Sequence, residues 1–370
     1  MNWEDFLQFD LEAILTWAEN EPWAREMAAC AQDENWHAEG DVWTHTKMVC
    51  RELPKLDEWS ELSSLEQTTL ILTALFHDSG KPATTAVDPL SGRLRSPKHS
   101  QRSQRIVRNV LRELGCDFAT REAVAHLVRF HGRPVYLLDK PDPGHEVVHL
   151  SWLVSNKLLG LFAIADNRGR TCIGPNRAEA DLELWKVAAI DNDCYDQPFQ
   201  FVSDHARFLF YRRKLTNLHY QPHDQFSCTV TLMSGLPGSG KDTWVKNHRP
   251  DLPVVSLDSI RRELNIEPTE NQGAVAQLAK QRCRELLRSG TSFAFNATNL
   301  IRQTRSGWID LFHDYKAKIE IVYLEPSLEA ILRQNKNRNA TVPQRVIERF
   351  AQRLEPPTLT ECHSLVLSTS

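Results

Sequence analysis

Two groups of residues in this 370-residue chain have the types and spacing of phosphate chemistry. The first is Gly235-Leu236-Pro237-Gly238-Ser239-Gly240-Lys241. Glycines let backbone N–H groups turn inward toward phosphate oxygens, and a following helix N-terminus favours negative charge. Lys241 would then reach the β- and γ-phosphates of a nucleoside triphosphate. The second is an ordered series of imidazoles and carboxylates: His45, the adjacent pair His77-Asp78, His99, His131 and Asp166. Ligands of these types suit one or two first-row divalent cations. Such cations polarise phosphoryl oxygens and make water a nucleophile at neutral pH.

Around the glycine-rich run, Asp242 occupies the position where a Ser or Thr hydroxyl ordinarily holds Mg²⁺, and Thr243 stands beside it. Two readings stay open for Asp242: a hard-oxygen Mg²⁺ ligand, or a favourable negative charge in the first turn of a helix. The apolar run PVVSL leads to Asp258. In open α/β sheets ligands gather beyond the carboxyl ends of strands, so Asp258 is placed to accept the proton of an attacking hydroxyl; it could also cap the helix that follows, and one residue can do both. Arg261, one turn later, would hold an acceptor phosphate. Asn296, Thr298 and Asn299 follow another strand and suit either ligand contact or a turn. Arg333, Lys336 and Arg338 cluster before Thr341-Val342-Pro343, where a cationic lid would neutralise a transferring phosphoryl group. Arg338 is the better lid candidate, because Arg333 could also be a solvated helix residue. The stripe Arg345, Arg349 and Arg353 reads as a solvated face.

Around the His-Asp series, Lys81 in HDSGK is a candidate contact for substrate phosphate. His126 competes with His131 as a ligand, but its apolar neighbours read as core. Arg102, Arg105, Arg108 and Arg112 recur at helical spacing near His99, either as a backbone-binding face or as a solvated one.

Two kinds of scaffold must hold these groups. Residues 1–170 read as mostly helical, with runs at Leu65–Phe76, Ser100–Leu114 and Arg121–Phe130 broken by turn chemistry. Residues 228–370 alternate strands (CTVTLMSG, PVVSLD, TSFAFNAT, AKIEIVYLE, SLVLS) with helical stretches, which implies a parallel sheet covered on both faces. Residues 171–227 fit neither pattern and read as a connecting region. Hydrophobic residues make up 41% of the chain and charged residues 25%, at a net charge of -4. No global basic field points to a polyanion, so any such site is a local patch. The eight cysteines form no CxxC pair. No segment approaches the roughly 20 apolar residues of a membrane span, and the opening MNWEDFLQFD does not read as an export signal. A cytoplasmic protein with reduced thiols and no membrane partner is expected.

The set GLPGSGK, LDSIR, NATN and RQNKNR…VP resembles the P-loop polynucleotide kinases, which phosphorylate 5′-hydroxyl ends. That resemblance makes Asp258 the general base, Arg261 an acceptor clamp, and Arg338 with Arg333 the lid, with ATP and Mg²⁺ as the donor; Asp242 departs from the phage-type members. The His-Asp series resembles the HD-domain phosphohydrolase superfamily over residues 35–170. It implies His45, His77, Asp78 and Asp166 as core ligands, with His99 and His131 completing a two-metal site. Together the halves resemble the bacterial HD–Pnk fusions: an all-α HD domain followed by an α/β P-loop kinase domain. The implied activity is end healing of RNA, and of DNA less so. The HD half would hydrolyse 2′,3′-cyclic phosphate and 2′- or 3′-phosphate ends. The kinase half would phosphorylate 5′-hydroxyls, and a separate ligase would act downstream. A nucleotide phosphohydrolase fused to a small-metabolite kinase is the alternative.

Overall fold

The computed structural model describes residues 3–8, 10–173, 177–215, 217–337 and 341–369. Contacts divide the chain into two units, Met1–Gln200 and Phe201–Ser370. The segment 171–227, read from the sequence as a connector, is shared between them.

The first unit is helical: α1 (Trp3–Leu7), α2 (Leu11–Glu19), α3 (Pro22–Ala28), α4 (Val42–Glu52), α5 (Ser64–Phe76), α6 (His99–Glu113), α7 (Phe118–Phe130), α8 (Pro143–Ser151), α9 (Asn156–Arg168) and α10 (Glu179–Asp191). A small hairpin, β1 (Ala86–Val87) and β2 (Leu94–Arg95), precedes α6. Helix α5 is the axle of the unit. It is buried on every side from Thr68 to Phe76 and packs against α4, α6, α7 and α9. A helix buried all round must satisfy its own polar groups. Thr69 and Thr73 do so by donating to the carbonyls of Leu65 and Thr69. A capping box of Ser63 and Glu66 fixes its start. Asp41, Asp117 and Ser155 cap α4, α7 and α9 with a single side-chain acceptor each, for Thr44 N, Thr120 N and Leu158 N. Helix α10, in the segment the sequence left unassigned, packs on α8 and α9 and buries Trp185 completely.

The second unit contains α11 (Asp204–Tyr211), β3 (Cys228–Gly235), α12 (Lys241–His248), β4 (Val254–Ser256), α13 (Leu257–Leu264), α14 (Gly273–Arg288), β5 (Phe293–Asn296), α15 (Arg302–Asp314), β6 (Ala317–Glu325), α16 (Leu328–Lys336), α17 (Gln344–Ala351) and β7 (Ser364–Thr369). The five strands form a wholly parallel sheet in the order β4-β5-β3-β6-β7. Val230 and Leu232 meet Val275 and Cys283 of α14 and Ile309 and Phe312 of α15 on one face. Met233 and Val322 meet Val245 of α12 on the other. Strand β3 sits centrally: the chain leaves it for β4 on one side and later crosses from β5 past it to β6 on the other, so a crevice opens at its carboxyl end, where Gly235 begins the phosphate loop.

Candidate active centres

The helix ends of the first unit deliver the His-Asp series to one place. His45 lies on α4, His77 caps α5 with Asp78 next, His99 opens α6, His131 caps α7, and Asp166 lies in the last turn of α9. Their ligand atoms form two groups, His45–His77–Asp166 and Asp78–His99–His131, each within 4.8 Å. His45 Nε2 stands 3.0 Å from Asp166 Oδ1, and His77 Nε2 stands 3.1 Å from Asp78 Oδ2. His99 Nε2 is 3.3 Å from Asp78 Oδ1, which places Asp78 between the groups.

The second nitrogen of each imidazole decides what the first can do. Nδ1 of His77, His99 and His131 each donates to the carbonyl three residues earlier, of Ala74, Ser96 and Val128, at 2.8 Å. His45 Nδ1 donates to Gly169 O at 3.1 Å. A carbonyl only accepts, so each Nδ1 carries the proton and each Nε2 presents a lone pair to the centre. His99 Nε2 and His131 Nε2 then face each other at 3.4 Å. Burial lowers the pKa of both, that of His131 to about 3, so protonation does not relieve the opposition. Among the described residues, buried His77 Nε2 and Asp78 Oδ1 have no hydrogen-bond partner. Converging lone pairs, buried carboxylates and these orphaned atoms fit divalent cations. Burial alone would raise the pKa of Asp78, but His77 and Lys81 outweigh it and hold the carboxyl well below the usual range. Burial is likewise overcome at Asp166, chiefly by Arg170.

Glycines allow this convergence. A Cβ at Gly169 would lie 2.8 Å from the backbone nitrogen of Val49, where α9 crosses α4. A Cβ at Gly80 would lie 2.3 Å from the carbonyl oxygen of His99 and 2.7 Å from the amide of Ser103, whose hydroxyl accepts from Gly80 N.

Several participants were not visible in the sequence reading. Glu39 Oε1 lies 3.1 Å from His45 Nδ1 and 2.8 Å from His37 Nδ1, behind the metal-facing nitrogen of His45. His37, Glu39 and His45 thus form a third group whose ligand atoms converge; with His45 Nδ1 donating to Gly169 O, Glu39 is placed to orient the His45 ring from behind. The signal was local: His37 and Glu39 fall within eight residues of His45. Arg170, one turn after Asp166, pairs with it. Lys81 Nζ lies 2.7 Å from Asp78 Oδ2 and donates to Gln32 Oε1 at 2.6 Å, so it faces the centre. His126 belongs to neither ligand group and packs on Phe130. The arginine stripe is broken: Arg108 is buried and forks onto Glu122 of α7 at 2.8–3.0 Å, leaving Arg102 and Arg105 exposed.

In the second unit, Gly235, Gly238 and Gly240 have φ of +147°, +84° and +91°. A Cβ at Gly235 would lie 2.5 Å from Leu324 O, so both conformation and space require glycine there. Gly240 caps α12, whose first residue is Lys241. Leu236 anchors the loop in an apolar cluster with Ile331 of α16 and Ile347 of α17, while Pro237 and Gly238 stay half-exposed and Ser239 is buried. Lys241 Nζ donates to the carbonyls of Gly235 and Leu236 at 2.9 and 2.7 Å, lying along the inside of the loop. Asp242 and Thr243 are exposed on the first turn of α12, and Asn296, ending β5, donates its amide to Asp242. Asn299 is a scaffold residue: its amide donates to Met233 O at 2.7 Å and its backbone is left-handed. Arg305, completely buried, donates to the carbonyls of Asn299 and Glu355 and grips Glu361 at 2.8 and 2.9 Å.

Strand β4 ends at Ser256, two residues before Asp258, because Ser256 Oγ accepts from Ser259 N and caps α13. Asp258 is therefore not the cap; it stands in the first turn with its side chain 70% exposed and paired with Arg261. Arg261 also donates to Gln272 Oε1 at 2.6 Å. Arg333 is exposed on α16, 3.8 Å from Glu329. Arg338 lies outside the described residues. Arg345, Arg349 and Arg353 are exposed along α17 and just beyond it.

Residues 41–191 match the HD domain family, and residues 230–357 match an AAA domain family. The chain joins an HD domain to a P-loop, kinase-like domain. Among solved structures, one described as a "putative kinase" from Chloroflexus aurantiacus is similar at 14% identity and a TM-score of 0.33, covering 39% of this chain and 86% of that one. The HD domain is of the metal-dependent hydrolase type, and its two His-Asp groups match that chemistry. The P-loop domain implies a nucleoside triphosphate with Mg²⁺. All eight cysteines are free. No single helix among the described residues is long and apolar enough to cross a membrane.

Proposed function

We propose that the two domains heal the two ends of a broken nucleic-acid strand, RNA rather than DNA, in the cytoplasm. The HD domain opens a 2′,3′-cyclic phosphate and removes the resulting 2′- or 3′-phosphate. The P-loop domain transfers the γ-phosphoryl group of ATP to a 5′-hydroxyl, and a separate ligase then joins the ends. The observation that carries this reading is the pairing, in one chain, of a converging His-Asp centre with a phosphate loop, in a domain where Asp258 stands 70% exposed and paired with Arg261.

Divalent cations held by His45, His77, Asp78 and Asp166, and by Asp78, His99 and His131, would supply Lewis acidity and a water nucleophile. Lys81 steadies Asp78 and offers positive charge to an incoming phosphate. In the P-loop domain, Lys241 would neutralise the phosphates of a bound nucleotide, and Asp242, whose carboxylate accepts from the Asn296 amide, would help to hold the Mg²⁺ that supplies charge neutralisation there. Asp258 accepts the proton of the 5′-hydroxyl while Arg261 binds the neighbouring phosphodiester. Arg333 and Arg338 bring charge to the transferring group.

The test uses short RNAs with defined termini. One bearing a 2′,3′-cyclic phosphate is followed for cation-dependent phosphate release, and one bearing a 5′-hydroxyl for label from γ-labelled ATP. Both reactions are expected. Labelling of a small metabolite instead, with free nucleotides as the only phosphohydrolase substrates, would select the metabolite-kinase alternative.

A further inference from the structure

We propose that Trp36 and Tyr136 form a stacking platform for the base of the terminal nucleotide whose phosphate enters the HD centre. This rests on the reading of the HD domain as an enzyme of nucleic-acid ends. A cleft of about 420 Å³ opens beside the cation-binding groups, within the roughly 300–1,000 Å³ typical of small-ligand sites. Its lining is divided by chemistry. His99 and Lys81 belong to the metal centre, Arg170 and Arg177 add positive charge, and Trp36 and Tyr136 supply aromatic surface.

Trp36 is 49% exposed and Tyr136 is 57% exposed, whereas Trp23, Trp43 and Trp185 of the same domain are buried. A single exposed aromatic is ordinary; two in the cleft that holds a metal ligand are a recognition surface. Both sit on closed turns. Trp36 N and His37 N donate to Asp33 O at 3.1 and 2.9 Å, and Tyr136 N donates to Arg133 O at 3.2 Å. The Trp36 carbonyl also accepts from Cys172 Sγ. The rings are therefore carried on short, hydrogen-bonded segments, which limits the ordering cost of binding. A nucleotide has the matching polarity: an anionic phosphate for the His-Asp-Lys end and a flat apolar base for the rings. Stacking accepts any base, because every base offers a π-face.

The experiment compares two short RNAs with a terminal 3′-phosphate, identical except that one has an abasic terminal ribose. The full chain carries Lys241→Ala to silence the phosphate loop. Phosphate release is measured with Trp36 and Tyr136 intact, and with Trp36→Ala, Tyr136→Ala or Trp36→Phe added. The base-bearing RNA is expected to have a KM about tenfold lower than the abasic one at similar kcat. Each alanine substitution should raise the KM of the base-bearing RNA toward the abasic value and leave the abasic RNA unchanged; Trp36→Phe should keep most of the preference. Equal treatment of the two RNAs with both rings intact, or alanine effects shared by both, would overturn the platform. Calorimetric binding of cytidine 3′-phosphate against ribose 3-phosphate, which lacks only the base, separates the two ideas. A base preference that depends on Trp36, without hydrolysis of either RNA, leaves the platform standing and removes the end-healing reading. No base preference in binding removes the platform.

Discussion

His45 and Asp166 lie 121 residues apart in the chain, yet Nε2 of one stands 3.0 Å from Oδ1 of the other. Helices α4 and α9 meet there because Gly169 lets their backbones touch, and the carbonyl of that same glycine orients the His45 ring. Asp166→Ala removes one group of cation ligands at its root. It should lower bound divalent metal, measured by elemental analysis, and abolish phosphate release while leaving 5′-phosphorylation intact. Asp78→Ala, at the junction of both groups, should lose more metal still. Retention of full metal content by Asp78→Ala would refute the ligand assignment.

Glu39 stands behind His45, 3.1 Å from the Nδ1 that turns away from the His-Asp centre. Glu39→Ala should weaken metal affinity about 10- to 100-fold, the range for outer-shell partners, with the remaining Gly169 contact favouring the lower end. Glu39→Gln keeps an acceptor and should lose less. Titration of the metal-depleted protein with Mn²⁺ or Zn²⁺ by calorimetry measures both.

The P-loop chemistry should fail independently of the HD chemistry. Asp258→Asn removes the proposed proton acceptor and should slow phosphoryl transfer about 10²- to 10⁴-fold. Lys241→Ala should reduce it at least as far. Neither should change phosphate release from a 3′-phosphorylated RNA. Asp242→Ala should raise the Mg²⁺ concentration needed for half-maximal kinase activity.

Arg305 stabilises the second domain from inside. It has no solvent exposure and holds Glu361, Asn299 and Glu355 together. Arg305→Ala leaves a buried carboxylate unpaired and should cost about 3–5 kcal/mol, read from the urea midpoint of that domain's unfolding transition.

Acid stability should depend on Glu122. Burial raises its pKa, but Arg108 and Arg121 outweigh this and lower it from the ordinary 4.5 to about 2. A depressed folded-state pKa gives stability that is complete above the unfolded value and fades as pH falls from about 4.5 toward 2, on the order of 3 kcal/mol in all. Thermal unfolding of the HD domain at stepwise lower pH should show this loss. Glu122→Gln should be less stable at pH 7 and flatter across the acid range.

What could be read in advance follows from how local each determinant is. Strands β3 and β6 match the expected residues because each is an apolar run bounded by turn or polar chemistry. Strand β4 stops earlier than expected because one serine side chain ends it by starting a helix, a competition that alternating hydrophobicity does not record. Helix α10 hides in a segment whose Trp and Leu residues make sense only against α8 and α9. The six residues of the His-Asp series were legible as types in order, and the fold brings their ligand atoms together; Gln32 and Glu39 act through partners that the fold supplies. Arg108 looked like one more surface cation; its charge is consumed by a glutamate on the next helix.

Position 80 carries no functional group, yet it governs how closely the His99 helix approaches Asp78. A methyl group there would act as a wedge against the first turn of α6, pushing His99 off Asp78 while sparing His45, His77 and Asp166. One hydrogen atom in place of a carbon thus sets the spacing of the Asp78–His99 pair, and a homologue with any larger residue at this place should be expected to hold that imidazole farther from the carboxylate.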